Sequence, residues 1–164
     1  MRNGVTAATA VGHSLDAVFE FLADLRNHWL LEDAFVSLQT VDVDGDGAAR
    51  GGRVRLRGPF GLSRVAATRV VAAEPPAAGE ARLRGEALVG ARTRARIEWW
   101  LTGTATGTRV TLAAEVLEAG PFDRVLLALG GRVWLRRLFG RALRNLERSL
   151  PADGAPRAAA PRRP

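Results

Sequence analysis

Read from the N-terminus, the chain switches its hydrophobic period from two to about 3.6 and back, and each switch marks an element. Val5, Ala7, Thr9 and Val11 alternate with small residues, which predicts a short strand ending at Gly12. Ser14 then offers a capping hydroxyl, and Asp16 falls in a first turn where the helix dipole favours a carboxylate. Leu15, Val18, Phe19, Leu22 and Leu25 recur at helical spacing, so an amphipathic helix of about three turns is expected, running out near Arg26 to Trp29. From Val36 the stretch VSLQTVDV returns to alternation and closes in the turn Asp44-Gly45-Asp46-Gly47. Further β segments follow at Gly52 to Gly58, Ser63 to Ala73, Ala81 to Val89, Thr93 to Leu101 and Arg109 to Leu117. Turns bearing Gly or Pro separate them, which suits an antiparallel meander.

Pro121 at a first helical position, with Asp123 beside it, opens a last helical element that runs to Leu150. Leu135, Leu138, Phe139, Ala142, Leu143, Leu146 and Leu150 share one face of it, while Arg137, Arg141, Arg144 and Arg148 share the opposite one, with Trp134 at the border. Phe122, Val125 and Leu129 are out of phase with that stripe. The break falls at Gly130-Gly131, where a kink is cheapest, so two helical pieces are expected. The terminal PADGAPRAAAPRRP holds four Pro and no large apolar residue, and reads as a disordered tail over residues 151–164. Residues 1–150 then make a single domain, as the length of 164 residues allows.

The order is strand, helix, six strands, long helix. An α+β helix-grip fold accommodates it: a curved antiparallel sheet of about seven strands wraps the C-terminal helix, and the early helical segment closes one end. Alternation puts Val54, Leu56, Leu83, Ala87, Val89, Ala95, Ile97, Trp99, Leu101, Val110, Leu112, Ala114 and Val116 on the inner face. Many of these are small, so space is left between sheet and helix unless Phe139, Leu143 and Trp99 fill it. The outer face carries Arg53, Arg55, Arg57, Arg82, Arg84, Arg92, Arg94 and Arg96, with Glu86, Glu98 and Trp100 among them.

Composition narrows the chemistry. There is no Cys, Tyr or Lys; all 24 basic residues are Arg, and His13 and His28 are the two histidines. Thiol nucleophiles, thiolate zinc sites, disulfides, Schiff-base lysines and tyrosine acids are therefore excluded. The net charge is +7, of which the tail supplies +2. With guanidinium replacing every ammonium and no aromatic ladder to stack bases, the Arg-paved sheet reads as a solvated outer face rather than a nucleic-acid surface. The basic helix face likewise reads as solvated, with peripheral membrane contact as the alternative. No secretory leader and no run of about 18 apolar residues is present, so a cytoplasmic protein is expected.

Asp42, Asp44 and Asp46 before Gly47 imitate the start of a calcium loop, but Arg53 stands where the bidentate glutamate belongs. No metal is expected there, and no cofactor elsewhere, because no phosphate-binding glycine loop or nucleophile elbow is in context. Asp24, His28 and Glu32 stand four apart and would share one face of a continuous helix, although a break near Asn27 is expected. His28 is placed at the rim of the pocket, and His13 in an exposed turn.

The opening VTAATAVGHSLDAVFEFLADLRNHW, the central TRARIEWWL followed by GTRVTLAAEV, and the closing Arg/Leu helix resemble the START-like, Bet v 1-like helix-grip superfamily, in particular its polyketide cyclase/dehydrase and lipid-transport branch. The resemblance covers nearly all of residues 4 to 150 and implies a hydrophobic ligand pocket without implying a reaction. Cyclases of the family are expected to carry polar pocket groups such as Arg, Tyr, Ser or His, whereas Tyr is absent here and the inward strand positions are almost wholly apolar. The leading expectation is therefore a noncatalytic binder of a lipid, isoprenoid or polyketide. Trp29, Phe60, Trp99 and Phe139 would touch the ligand, with His28, Gly130 and Gly131 near the mouth. The alternatives are a cyclase or dehydratase in which His28 moves protons with Asp24 or Glu32, and an Arg-rich interaction module for RNA, a ribosome or an anionic membrane.

Overall fold

The computed structural model describes residues 4–31, 34–58 and 61–150. Its strands are β1 (Gly4–Val11), β2 (Val36–Val43), β3 (Ala49–Arg57), β4 (Ser63–Ala77), β5 (Glu80–Val89), β6 (Thr93–Thr104) and β7 (Gly107–Glu118). Its helices are α1 (Leu15–Ala23), α2 (Leu25–Leu31), α3 (Pro121–Leu126) and α4 (Arg132–Ser149). The strands form one antiparallel sheet in the order β1-β7-β6-β5-β4-β3-β2, so β2 to β7 are a meander and β1 crosses over to flank β7. In that outer pairing Val5 faces Ala114 and Val11 faces Thr108. The sheet is curved and open, and it wraps the C-terminal helix as expected of a helix-grip α+β fold.

The strands follow the alternation closely, and β4 runs four residues beyond its expected end. Its pairing with β5 is irregular between Glu74 and Ala77, which is where Pro75 and Pro76 have no N–H to give the ladder. A larger departure concerns the first helix. It does not continue to Arg26–Trp29; it stops at Ala23, Asp24 turns extended at φ −100° and ψ 114°, and α2 begins at Leu25. Asp24 causes this locally, because its carboxylate accepts the Arg26 backbone N–H at 2.9 Å as an N-cap would. The same carboxylate receives the Arg26 guanidinium, and Arg50 Nη1 donates to the Ala23 carbonyl at 3.0 Å, so each helix end at the break gains a partner.

The C-terminal element consists of two helical pieces joined by a wide turn at Leu127–Gly131. Gly130 has φ +113°, a conformation that side chains with a Cβ rarely adopt, and the phase change falls there. Beyond it Leu138, Phe139, Ala142, Leu143 and Leu146 bury one face of α4. Each large side chain there contributes about 1.5–3 kcal/mol of apolar burial. Side-chain bonds fix the helix at its far end: Asn145 Nδ2 donates to the Leu31 carbonyl at 2.8 Å, and Glu147 accepts the Gly12 N–H. His13 is partly buried rather than exposed, because its carbonyl accepts the hydroxyl of fully buried Thr108.

Asp44 is committed to the hairpin tip. It accepts the backbone N–H groups of Asp46 and Ala48 and the Arg50 Nε at 2.8 Å, an Asx turn with an ion pair. Among the described residues no helix is long and apolar enough to cross a membrane. The tail at 151–164 lies outside the described residues.

Candidate functional site

The buried apolar residues form two clusters rather than one. The larger joins β1, β5 to β7, α1 and α4; the smaller joins Leu25, Trp29, Val36, Ala49, Val54 and Ala66 beneath α2. Between them lies a cavity of about 220 Å³. The sheet contributes Val54, Leu56, Ala87, Ala95, Ile97 and Ala114 to its wall, all on the face that alternation assigned inward. Ala95, Ile97, Ala114 and Val116 keep accessible surface although they face the fold's interior, which is the signature of a wall left uncovered. Leu101 and Val110, also inward, are instead packed solid in the larger cluster.

Four of the expected contact residues meet at this cavity: His28, Trp29, Trp99 and Phe139 all line it. Phe60 and Glu32 lie outside the described residues. Asp24, Gly130 and Gly131 are not part of the wall. Gly130 is exposed at the bend, and the nearest wall residue along the chain is Trp134, one turn further on. Asp24 is directed to the helix break, where it serves Arg26 and not His28. Asp24 and His28 thus do not share a helix face, because the break comes at Asp24 itself.

Trp134 belongs to the apolar side of α4 and not to its border. It lines the cavity and meets Phe35 edge to face at 6.2 Å, so the apolar stripe of α4 is wider at its N-terminal end than at its middle. Leu22, Leu31 and Ala142 complete the wall from the helices. The helical periodicity of Leu22 and Ala142 was visible, that of Leu31 was not, and a periodic residue does not announce whether it meets a neighbour or a void.

His28 is the one imidazole in the wall. Its Nε2 lies 2.5 Å from the Leu22 carbonyl oxygen, and its ring meets Trp99 edge to face at 5.2 Å between centroids. Burial pushes its pKa down to about 4, against smaller upward effects of the Leu22 carbonyl and the Asp24 charge, so the ring is neutral at pH 7. For Asp24, partial burial pushes the carboxyl up, but the hydrogen bonds and charge of Arg26 outweigh that and hold it below the ordinary value. Arg69, Arg84 and Glu86 reach the cavity's edge already paired: Arg69 with Glu86 and Arg84 with Glu74, each at 2.7 Å. Among the described residues no group of three His, Cys, Asp or Glu could hold a metal. The arrangement offers apolar area, one neutral imidazole and no uncompensated charge.

No protein-family model and no curated protein sequence matches the chain. Solved structures do resemble it. The protein TTHA0849 of Thermus thermophilus superposes with a TM-score of 0.67 at 19 % identity, over 93 % of this chain and 99 % of that one. A START superfamily protein of Mycobacterium smegmatis gives 0.64 at 15 %, over 91 % and 99 %. DynU16, from the dynemicin biosynthetic locus, gives 0.53 at 23 %, over 91 % of this chain and 49 % of its own. Identities this low speak for the fold alone, and what they establish, with the sheet order and the gripped helix, is that this chain has the START-like helix-grip fold.

Proposed function

We propose that the protein binds and carries a small hydrophobic molecule, a lipid, isoprenoid or polyketide, in the cytoplasm and without transforming it. The observation that carries this reading is the apolar cavity of about 220 Å³ separating two cores that could otherwise have merged. An apolar cavity of about 150 Å³ admits benzene, so this one in proportion suits roughly nine non-hydrogen atoms, or part of a longer molecule. START-like folds generally hold small hydrophobic ligands, which supports the same reading. Trp29, Trp99 and Phe139 supply the flat contact area, worth about 25 cal/mol per Å² buried before ordering costs. A cyclase or dehydratase would need an acid–base pair at the substrate, whereas Asp24 is engaged by Arg26 and His28 Nε2 by a carbonyl.

Native mass spectrometry of the purified protein, followed by denaturing extraction, tests this. A defined adduct, absent from an Ala95→Leu/Ala114→Leu variant that still folds, is the expected result. A bare mass that persists against lipid and aromatic polyketide panels overturns it. Conversion of the extracted compound by fresh protein would establish the enzyme instead.

An anionic membrane surface as partner is a second reading with its own observation. Phe122, Val125, Leu129 and Val133 are 52 %, 55 %, 69 % and 54 % exposed and follow one another at helical spacing, with exposed Arg124 and Arg136 nearby. Co-sedimentation with phosphatidylglycerol vesicles, weakened by salt and by Leu129→Ser, is expected. Binding that is absent or indifferent to salt removes this reading.

A further inference from the structure

The cavity wall is mostly apolar; besides Thr68, Arg69, Arg84 and Glu86 its polar member is His28, and that ring has a defined polarity. The Leu22 carbonyl can only accept, so the proton of the neutral His28 ring sits on Nε2, 2.5 Å from that oxygen. Nδ1 is then a bare lone pair. Among the described residues nothing donates to it, on a ring that lines the cavity. Against the same ring stands Trp99, which is 5 % exposed and whose buried Nε1–H has no acceptor. Thr68 in the wall turns its hydroxyl toward the Gly52 carbonyl, and the arginines at the edge are paired with glutamates through their terminal nitrogens, with the buried Arg84 Nε left without a partner. An acceptor on an apolar wall without a donor forgoes a hydrogen bond, which a ligand bringing the donor restores.

Resting on the binding reading above, we infer that the cavity selects a neutral alcohol or phenol, oriented by its hydroxyl donating to His28 Nδ1. A ketone or ether only accepts, and so repeats the mismatch at Nδ1. A carboxylate or phosphate brings a charge into a wall that has no free cation to meet it. The long apolar remainder of the ligand then lies along Trp29 and Phe139.

Matched bicyclic probes separate these possibilities: naphthalene, 2-naphthol, 2-methoxynaphthalene and 2-naphthoate, titrated calorimetrically into the wild-type protein and a His28→Phe variant. The expected result is 2-naphthol binding about tenfold more tightly than its methyl ether, an advantage that disappears in His28→Phe, judged by the naphthol-to-ether ratio within each protein. Should that variant fail to fold, the wild-type protein still decides the matter through ¹⁵N NMR of its imidazoles. The His28 Nδ1 resonance should move on adding 2-naphthol and stay in place with naphthalene. Equal affinities for naphthol, ether and naphthalene with an unmoved Nδ1 overturn the hydroxyl assignment and leave the cavity reading standing. Tightest binding of the naphthoate also overturns it. Failure of all four probes to bind removes the cavity reading and this inference together.

Discussion

Gly52 of β3 lies directly against the ring of Trp29 in α2, so close that a Cβ there would stand 2.9 Å from Cη2 and 3.2 Å from Cζ2, and closer still to the Thr40 carbonyl oxygen. The glycine thus lets the six-membered ring of the indole come up against the sheet, where Trp29 belongs to the smaller core cluster and lines the cavity. Gly52→Ala should destabilise the protein by roughly 1–3 kcal/mol, since backbone on one side and a packed ring on the other cannot both yield. Gly45→Ala, at the hairpin tip with nothing within 4 Å, should change stability by less than about 0.5 kcal/mol. Urea unfolding of the two variants checks the contrast, and equal effects would show that Trp29 is loosely held.

The glycine pair Gly51-Gly52 illustrates what the sequence could and could not disclose. Strand alternation found nearly the whole inner face, because period two is a property of each strand by itself. The stripe of α4 was legible for the same reason, and so was the bend at Gly130. What Gly52 does depends on Trp29, more than twenty positions away in the chain, and no local pattern carries such a relationship. The break at Asp24 was misplaced because Asp is tolerable within a helix as well as at a cap; the deciding bond to Arg26 N–H is a matter of three-dimensional geometry. Trp99 and Phe139 were legible as inward residues. That they border a void and do not fill it follows from the spacing of two cores, which volume decides and sequence does not.

His28 makes stability depend on pH. Its pKa of about 4 in the fold lies below the ordinary 6.5, so the unfolded chain takes up the proton first as pH falls. The neutral ring's contribution is complete above pH 6.5 and is lost progressively as pH drops toward 4, a change on the order of 3 kcal/mol. The wild-type urea midpoint should therefore fall over this window, and His28→Phe should show a flatter profile there. Parallel profiles for the two proteins would mean that the ring is hydrated.

The start of α3 is held by a partly buried network. Asp123 accepts Arg64 Nη1 at 2.8 Å and Nη2 at 3.2 Å together with the Thr93 hydroxyl, whose oxygen in turn accepts the Gly120 N–H at 3.1 Å. Removing the carboxylate strands buried Thr93 and the Arg64 fork at once. Asp123→Ala should accordingly cost about 1–3 kcal/mol and speed amide exchange in residues 120–126. Glu86→Gln, which breaks the exposed pair with Arg69 on the outer face, should cost less than about 1 kcal/mol. Hydrogen exchange alongside denaturant unfolding distinguishes the two, and unchanged exchange at α3 in Asp123→Ala would show that the apolar contacts alone hold it.

Asp24 separates a structural carboxylate from a chemical one. Its bonds run to the Arg26 N–H at 2.9 Å and the Arg26 guanidinium, and it has no place in the cavity wall. Asp24→Ala should cost about 1 kcal/mol through loss of the cap, and Asp24→Asn less, because an amide oxygen still accepts the N–H. Both variants should bind cavity probes within about twofold of wild type. Since the carboxyl is held below its ordinary value, the aspartate's contribution is present at neutral pH and is lost as pH falls below about 4, beneath the window in which His28 titrates. A proton-transfer role would give a different pattern. Asp24→Asn, which preserves the cap and removes the base, would then abolish turnover of the bound compound at unchanged stability, and that outcome would move the assignment from carrier to enzyme.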